Sequence, residues 1–301
     1  MPALLLLAPE PLSGKTTLAA GLAQRLKDAG RSVGLVRLEG DEDAAHDAAL
    51  FAGLPFNAAR RPEPLALTAL PELLKASETL LLEAGAGTST DLLAAAKGAS
   101  ALVVASAGSP EAVAYYCRQL GRPAQVIVNR VPRRRLEATR RAFEAAGVPP
   151  LALLPEDRGL ASPTLAQVTE ALGARARFLN AHAARLVERP VIASISADPG
   201  QSYFAARRPD AVIVRGDKPD LQLAALNAGA PCLILTGGQQ TLSYVLDRCE
   251  EDEIPLLETP LNTVAAVERI EGMFAAGPFT GGDKLPSAAE LLADLDLTAI
   301  A

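Results

Sequence analysis

Tryptophan is absent from this 301-residue sequence, and aromatic residues make up only 4% of it. The core must therefore be built from Leu, Ala, Val and Ile rather than from large rings. Cysteine is scarce: Cys117, Cys232 and Cys249 are odd in number, widely spaced and never in a CxxC pair. That excludes a disulfide framework or a cysteine-built metal site and fits a reducing, cytoplasmic setting. The only histidines, His46 and His182, lie far apart in the sequence, and no nucleophile triad can be drawn from them. Long apolar runs are missing too. The first, Ala3 to Ala8, is far too short for a membrane span, and no basic segment precedes it, so neither secretion nor a membrane location is expected.

What is present is an ordinary globular composition, 49% hydrophobic and 21% charged. The length suggests about two domains, at roughly 150 residues each. Charge divides the chain. Residues 1–150 hold 17 Lys+Arg against 15 Asp+Glu, and residues 151–301 hold 12 against 20. An acidic second half argues against a nucleic-acid surface there.

Short apolar runs at 4–7, 33–38, 80–82, 102–105 and 126–128 read as buried strands. Leu18, Leu22 and Leu26 mark a helix between the first two, with Gly30 at its C-cap. Strands alternating with helices predict an α/β fold with a mostly parallel sheet. Pro149, Pro150, Pro155 and Pro163 mark a junction. Beyond it the pattern predicts helices over 164–172, 221–226 and 263–274 and strands over 191–196, 211–214 and 232–235. Ser287 with Glu290 reads as a capping box opening a last helix that ends near Asp296.

The strongest chemical signal is Ser13-Gly14-Lys15-Thr16-Thr17, set between the first strand and the first helix. Backbone N–H groups and the dipole at such a helix start suit a phosphate. Lys15 would reach the β- and γ-phosphates, and the Thr16 hydroxyl would hold Mg²⁺. The general pattern G-x-x-x-x-G-K-[ST] is broken only at its first glycine, here Pro9. Two acidic groups follow parallel strands: Glu39, Asp41, Glu42 and Asp43 after the second, and Glu83 at the end of the third. Strand carboxyl ends share one sheet edge, so these groups should converge on the phosphate loop. The candidate metal ligands are Thr16, Asp41, Asp43 and Glu83, since Mg²⁺ needs one or two carboxylates beside phosphate oxygens. Arg130, Arg133, Arg134, Arg135, Arg140 and Arg141 form a basic stretch, readable as a solvated helix face or as a phosphate-lining or domain-facing segment. Gly237-Gly238 after a strand is a tight turn that could also let backbone approach a ligand.

At these residues the chain resembles a known group. The loop from Ala8 to Thr16, the acidic stretch Gly40-Asp41-Glu42-Asp43-Ala44 and Leu82-Glu83-Ala84-Gly85-Ala86-Gly87 are similar to segments of dethiobiotin-synthetase-like proteins. The strand ending Val128-Asn129-Arg130 resembles one whose Asn reads adenine, which implies that role for Asn129. Leu154-Pro155-Glu156-Asp157, Ala161-Ser162-Pro163-Thr164, Gly216-Asp217-Lys218-Pro219 and Leu235-Thr236-Gly237-Gly238 resemble the DRTGG domain. The pairing is similar to the N-terminal regulatory portion of long bacterial phosphate acetyltransferases and to stand-alone relatives. It implies a P-loop NTPase-type domain over 1–155, a smaller α/β DRTGG-type domain over 156–275, and a tail with a short helix over 276–301. Arg37-Leu38 stands where dethiobiotin synthetases carry Lys-Pro, and an arginine cannot supply a deprotonatable amine. The acetyl-transfer domain lies outside the matched portion, so acetyl transfer by this chain alone is not expected.

The leading expectation is an ATP- and Mg²⁺-binding protein with Ser13, Gly14, Lys15, Thr16, Thr17 and Asn129 on the nucleotide, coupled to regulation or ligand sensing in the second domain. Its partners would be a nucleotide and a second small molecule or a protein, a second copy of the chain among them. The alternatives are an ATP-dependent ligase of the dethiobiotin synthetase or cobyrinic acid a,c-diamide synthase kind, and a non-catalytic scaffold that holds nucleotide structurally. No catalytic residue is assigned.

Overall fold

The structure, a computed structural model, describes residues 3–75, 79–87, 89–193, 197–277 and 279–298. The chain divides into two compact units, one of residues 1–160 with 279–301, the other of 161–278.

The first unit runs β1 (Ala3–Ala8), α1 (Lys15–Asp28), β2 (Val33–Arg37), α2 (Ala44–Gly53), α3 (Leu70–Leu73), β3 (Thr79–Ala86), α4 (Thr90–Ala95), β4 (Ser100–Ser106), α5 (Pro110–Gln119), β5 (Ala124–Val131), α6 (Leu136–Ala145), β6 (Ala152–Pro155) and α7 (Arg158–Ala161), whose last residue opens the second unit. Its sheet has the order β2-β3-β1-β4-β5-β6, and every neighbouring pair is parallel. Both faces are covered, which is why β1 is apolar at every position rather than alternating. Leu4 and Leu6 point into one core layer with Leu18, Leu22 and Leu26 of α1. Ala3, Leu5 and Leu7 point into the other with Leu82, Val103 and Phe143. The C-terminus of α1 closes as a Schellman motif, with Gly30 N–H donating to Lys27 O at 2.9 Å and Arg31 N–H to Leu26 O at 3.0 Å.

The second unit holds α8 (Leu165–Ala171), β7 (Arg175–Arg177), β8 (Pro190–Ile192), α9 (Ala197–Arg207), β9 (Ala211–Arg215), α10 (Pro219–Asn227), β10 (Leu233–Thr236), α11 (Ser243–Glu251), β11 (Leu256–Glu258) and α12 (Thr263–Ala276). Its sheet order is β7-β11-β10-β9-β8, parallel except where β7 meets β11. Residues of α9, α10 and α11 pack on one face, and those of α8 and α12 on the other.

Several expectations change. The proline-rich junction contains β6, because Ala152-Leu153-Leu154-Pro155 pairs with the outer edge of β5. Proline is tolerated on such an edge strand. Leu154 and Pro155, read as part of the DRTGG resemblance, therefore belong to the first unit's sheet. Strand 191–196 is β8 as far as Ile192, and its residues 194–196 lie outside the described residues. The expected capping box at Ser287 is not formed. The last helix, α13 (Leu285–Leu291), starts two residues earlier with Pro286 in its first turn and has no side-chain cap. A complete capping box sits instead at α8, between Thr164 and Gln167.

The C-terminal segment is also more than a tail. Phe279, Leu285, Ala288, Leu292 and Leu295 are buried in the same core layer as α1. A Cβ on Gly21 would lie 2.5 Å from the carbonyl oxygen of Ala288, so only glycine lets α13 approach α1 this closely. The Arg25 guanidinium donates to the carbonyls of Leu292 and Leu295 just past the end of α13. Buried Lys284 donates to Leu160 O at 2.8 Å, and burial pushes its pKa down to about 8 with Arg130 nearby adding to the shift. The segment after the second unit is thus fixed to the helix that opens at the phosphate loop.

Candidate functional site

At the carboxyl end of β1 the chain turns through residues 9–14 into α1. Gly14 caps that helix with φ 88°, and a Cβ there would meet the Asn129 side-chain nitrogen at 2.4 Å. Both the left-handed backbone and the close approach require glycine. Lys15 and Thr16 then fall on the first turn of α1. The loop lies between β3 and β4, because β1 pairs with both.

The predicted convergence occurs for part of the set. Thr16 Oγ1 donates to Glu83 Oε1 at 2.9 Å across 67 residues of sequence. Glu83 is only 2% exposed, and its other oxygen, Oε2, has no hydrogen-bond partner. Burial raises its carboxyl pKa to about 7, opposed by Arg37, Lys15 and the Thr16 bond. Lys15 is 7% exposed, and burial lowers its pKa while Glu83 opposes that shift. Ser13 Oγ is likewise buried without a partner. A lysine, a hydroxyl and a carboxylate with an unspent oxygen thus face one another at the start of a helix.

Asn129 comes from the end of β5. Its amide donates to Ser13 O at 3.0 Å, and the side chain is buried. It therefore braces the phosphate loop, a role the sequence did not indicate. Thr17 follows on α1, half-buried.

The acidic stretch after β2 divides. Asp41 is tied to Arg37 by an ion pair, and Asp43 is exposed at the start of α2 without capping it. Among the described residues, no three His, Cys, Asp or Glu side chains form a group able to hold a metal. Asp41, Asp43 and Glu83 do not gather as a carboxylate cluster: Asp41 pairs with Arg37, and Asp43 is exposed.

Arg37 is a buried charge at the end of β2. It is 2% exposed. Its guanidinium also pairs with Asp47 at 3.2 Å and donates to Leu38 O at 2.7 Å and Glu83 O at 3.4 Å. With its donors spent inside the protein, it organises the β2 and β3 ends rather than reaching for a substrate.

In the second unit, two cavities open at the carboxyl ends of the strands, one of about 280 Å³ and one of about 400 Å³. Gly237 and Gly238 line them, and Gln239 lines both.

The all-parallel sheet with this loop after its first strand makes the first unit a P-loop NTPase-type fold. A family model for the DRTGG domain matches residues 167–273 and so falls within the second unit. The segments at 154–157 and 161–164 lie outside that match. Among solved structures, the chain is similar to the Aquifex aeolicus MinC:MinD cell division complex, at 16% identity over 52% of this chain and 83% of that one, with a TM-score of 0.43. It is similar to Pyrococcus horikoshii MinD complexed with Mg-ADP, at 21% identity over 52% and 82%, with a TM-score of 0.36. It is also similar to the CBS and DRTGG domains of the Clostridium perfringens pyrophosphatase regulatory region complexed with diadenosine tetraphosphate. That match is 14% identical over 46% of this chain and 64% of that one, with a TM-score of 0.35. None of the helices described is long and apolar enough to cross a membrane.

Proposed function

We propose that the chain binds Mg-ATP at the β1–α1 loop and that its DRTGG unit couples this to the sensing of a second ligand. The observation that carries the reading is the Thr16–Glu83 contact with Glu83 Oε2 unpartnered beside Lys15. A buried carboxylate with an unspent oxygen is costly, and a divalent cation would satisfy it. The donor set fits Mg²⁺: a threonine hydroxyl and one carboxylate, hard oxygen donors that would share the ion with phosphate oxygens. Thr16 and Glu83 would hold the ion, which would neutralise charge on the β- and γ-phosphates. Lys15 and the N–H groups opening α1 would take the phosphate oxygens. Arg37 would keep Asp41 in place, so Asp41 acts through the arginine rather than on the metal.

Asn129 would read the adenine while its amide keeps the brace to Ser13, since one N–H and the carbonyl oxygen remain for a base edge. Replacing Asn129 with Asp is expected to weaken ATP binding and to remove any preference for ATP over GTP. Competition titrations with the two nucleotides check this, and an unchanged ratio would assign the base contact elsewhere.

The resemblance to dethiobiotin-synthetase-like proteins and to the phosphate acetyltransferase N-terminal portion belongs to this proposal. The buried Arg37, bonded within the protein through Nε, Nη1 and Nη2, favours regulation over a ligase reaction, because no amine stands there to present a substrate nitrogen. The test is Lys15→Ala. Loss of a charge-assisted phosphate contact, about 1.5–3 kcal/mol, should lower Mg-ATP affinity roughly ten- to a hundredfold. Unchanged affinity by calorimetry, in a variant that unfolds at the wild-type temperature, would defeat the assignment.

A further inference from the structure

Strands β10 and β11 are neighbours, yet the chain leaves them in opposite directions. After β10 it passes to α11 on one face of the sheet, and after β11 to α12 on the other. Such a divergence opens a crevice beyond the strand ends, the usual place for a ligand in an open α/β sheet. The two cavities described above lie there.

The crevice floor is fixed by the protein itself. Gly237 N–H donates to Leu261 O at 2.8 Å and Gly238 N–H to Thr259 O at 3.1 Å, stitching the two strand ends together. The buried Thr236 hydroxyl meets that of Thr263 at 2.8 Å.

The lining chemistry is asymmetric. The larger cavity holds Arg175 and Arg177 against a single carboxylate, Glu258. Glu258 is already shared by Arg177 at 3.2 Å and the Thr241 hydroxyl at 2.6 Å. Arg175, the exposed first residue of β7, stands opposite Glu258 in the β7–β11 pair and has no ion-pair partner among the described residues. An excess guanidinium at a cavity mouth suits an anion. The smaller cavity is near neutral, with Asp217 paired to Arg215 and Asn262 close by, groups suited to hydroxyls and amides. Gln239 lines both, so one elongated ligand can occupy the two. Of the six large apolar side chains exposed among the described residues, Leu242 (46%) and Val264 (67%) directly follow lining residues, one at each cavity. Apolar side chains at a cavity mouth can cover the apolar face of a bound ligand.

We propose that this crevice is a second nucleotide site, independent of the phosphate loop, with the phosphate end at Arg175 and Arg177 and the nucleoside end toward Asp217 and Asn262. The inference rests on the reading that the DRTGG unit senses a ligand, and it names that ligand's class. The pair of cavities falls within the roughly 300–1,000 Å³ typical of small-molecule sites.

The experiment uses the full chain carrying Lys15→Ala, which disables the first site, titrated calorimetrically with AMP, ADP and ATP in metal-free buffer. Binding of at least one nucleotide should persist. A further Arg175→Ala, which removes an exposed side chain with no hydrogen bond or ion pair among the described residues, should weaken it about tenfold or more. Hydrogen exchange with the nucleotide should slow in residues 236–242 and 258–264. The proposal is overturned if the Lys15→Ala chain binds none of the three at millimolar nucleotide, or if protection falls outside those segments. It is also overturned if Arg175→Ala leaves affinity unchanged. Wild-type binding that vanishes in Lys15→Ala would defeat this site and leave the phosphate-loop reading standing. Binding that survives Lys15→Ala unchanged in every respect, with one site in both proteins, would defeat the phosphate-loop reading instead.

Discussion

Deletion of residues 279–301 should abolish the cooperative unfolding of the first unit and, with it, nucleotide binding. The segment buries Phe279, Leu285, Leu292 and Leu295 and packs Ala288 on Gly21. At about 1.5–3 kcal/mol for each large apolar side chain, its removal costs of order 6–12 kcal/mol, comparable to the whole stability of a typical domain. The face of α1 so exposed belongs to the helix whose first turn carries Lys15 and Thr16. Differential scanning calorimetry of a chain ending at residue 278 reads the effect. A melting temperature within a few degrees of wild type would show that α13 is dispensable. Gly21→Val probes the same contact without deletion. Its branched side chain cannot coexist with Ala288 O at the observed spacing, so α13 must move away, and the melting temperature should fall clearly.

The second large effect concerns Glu83 and has opposite signs on stability and on binding. Its carboxyl pKa is raised from 4.5 to about 7 by burial. Between those values the unfolded chain gives up the proton while the folded one keeps it. Stability contributed by this group therefore falls as pH rises from about 4.5 to 7 and stays low above. Glu83→Gln removes that penalty. Without ligand the variant should be more stable than wild type at pH 8, by up to about 3 kcal/mol, and equal to it near pH 4. Mg-ATP affinity should nonetheless drop tenfold or more, because a neutral amide replaces the one carboxylate beside Thr16. Melting curves at both pH values and a calorimetric titration at pH 8 check the pair. A variant less stable at pH 8, or one that binds Mg-ATP as wild type does, would remove Glu83 from the metal site.

How much of this was legible in the sequence depends on how local each signal was. The β1–α1–β2 unit was readable because its apolar runs, its four-residue leucine spacing and Gly30 all lie within one short stretch. The meeting of Thr16 with Glu83 followed from topology alone, since parallel strands end on one edge. Strand β6 was hidden by the prolines that flank and enter it. Strands β7 and β11 are three residues each, too short for any periodicity to register. Thr164 and Gln167 form a capping box and Ser287 and Glu290 do not, because the motif is common in sequence and tertiary packing helps decide where a helix starts. The burial of Arg37, the Asn129 brace and the docking of α13 on α1 depend on contacts across 46, 116 and more than 260 residues. No local pattern encodes such distances.

In the proposed function, nucleotide would sit where β1 meets α1, against Lys15, Thr16 and Glu83. Hydrogen exchange of the wild-type protein with and without Mg-ATP tests it most directly. Slowed exchange is expected in residues 10–18, whose amides open α1, and in residues 83–87 at the end of β3. Identical exchange in both segments under saturating Mg-ATP would contradict it.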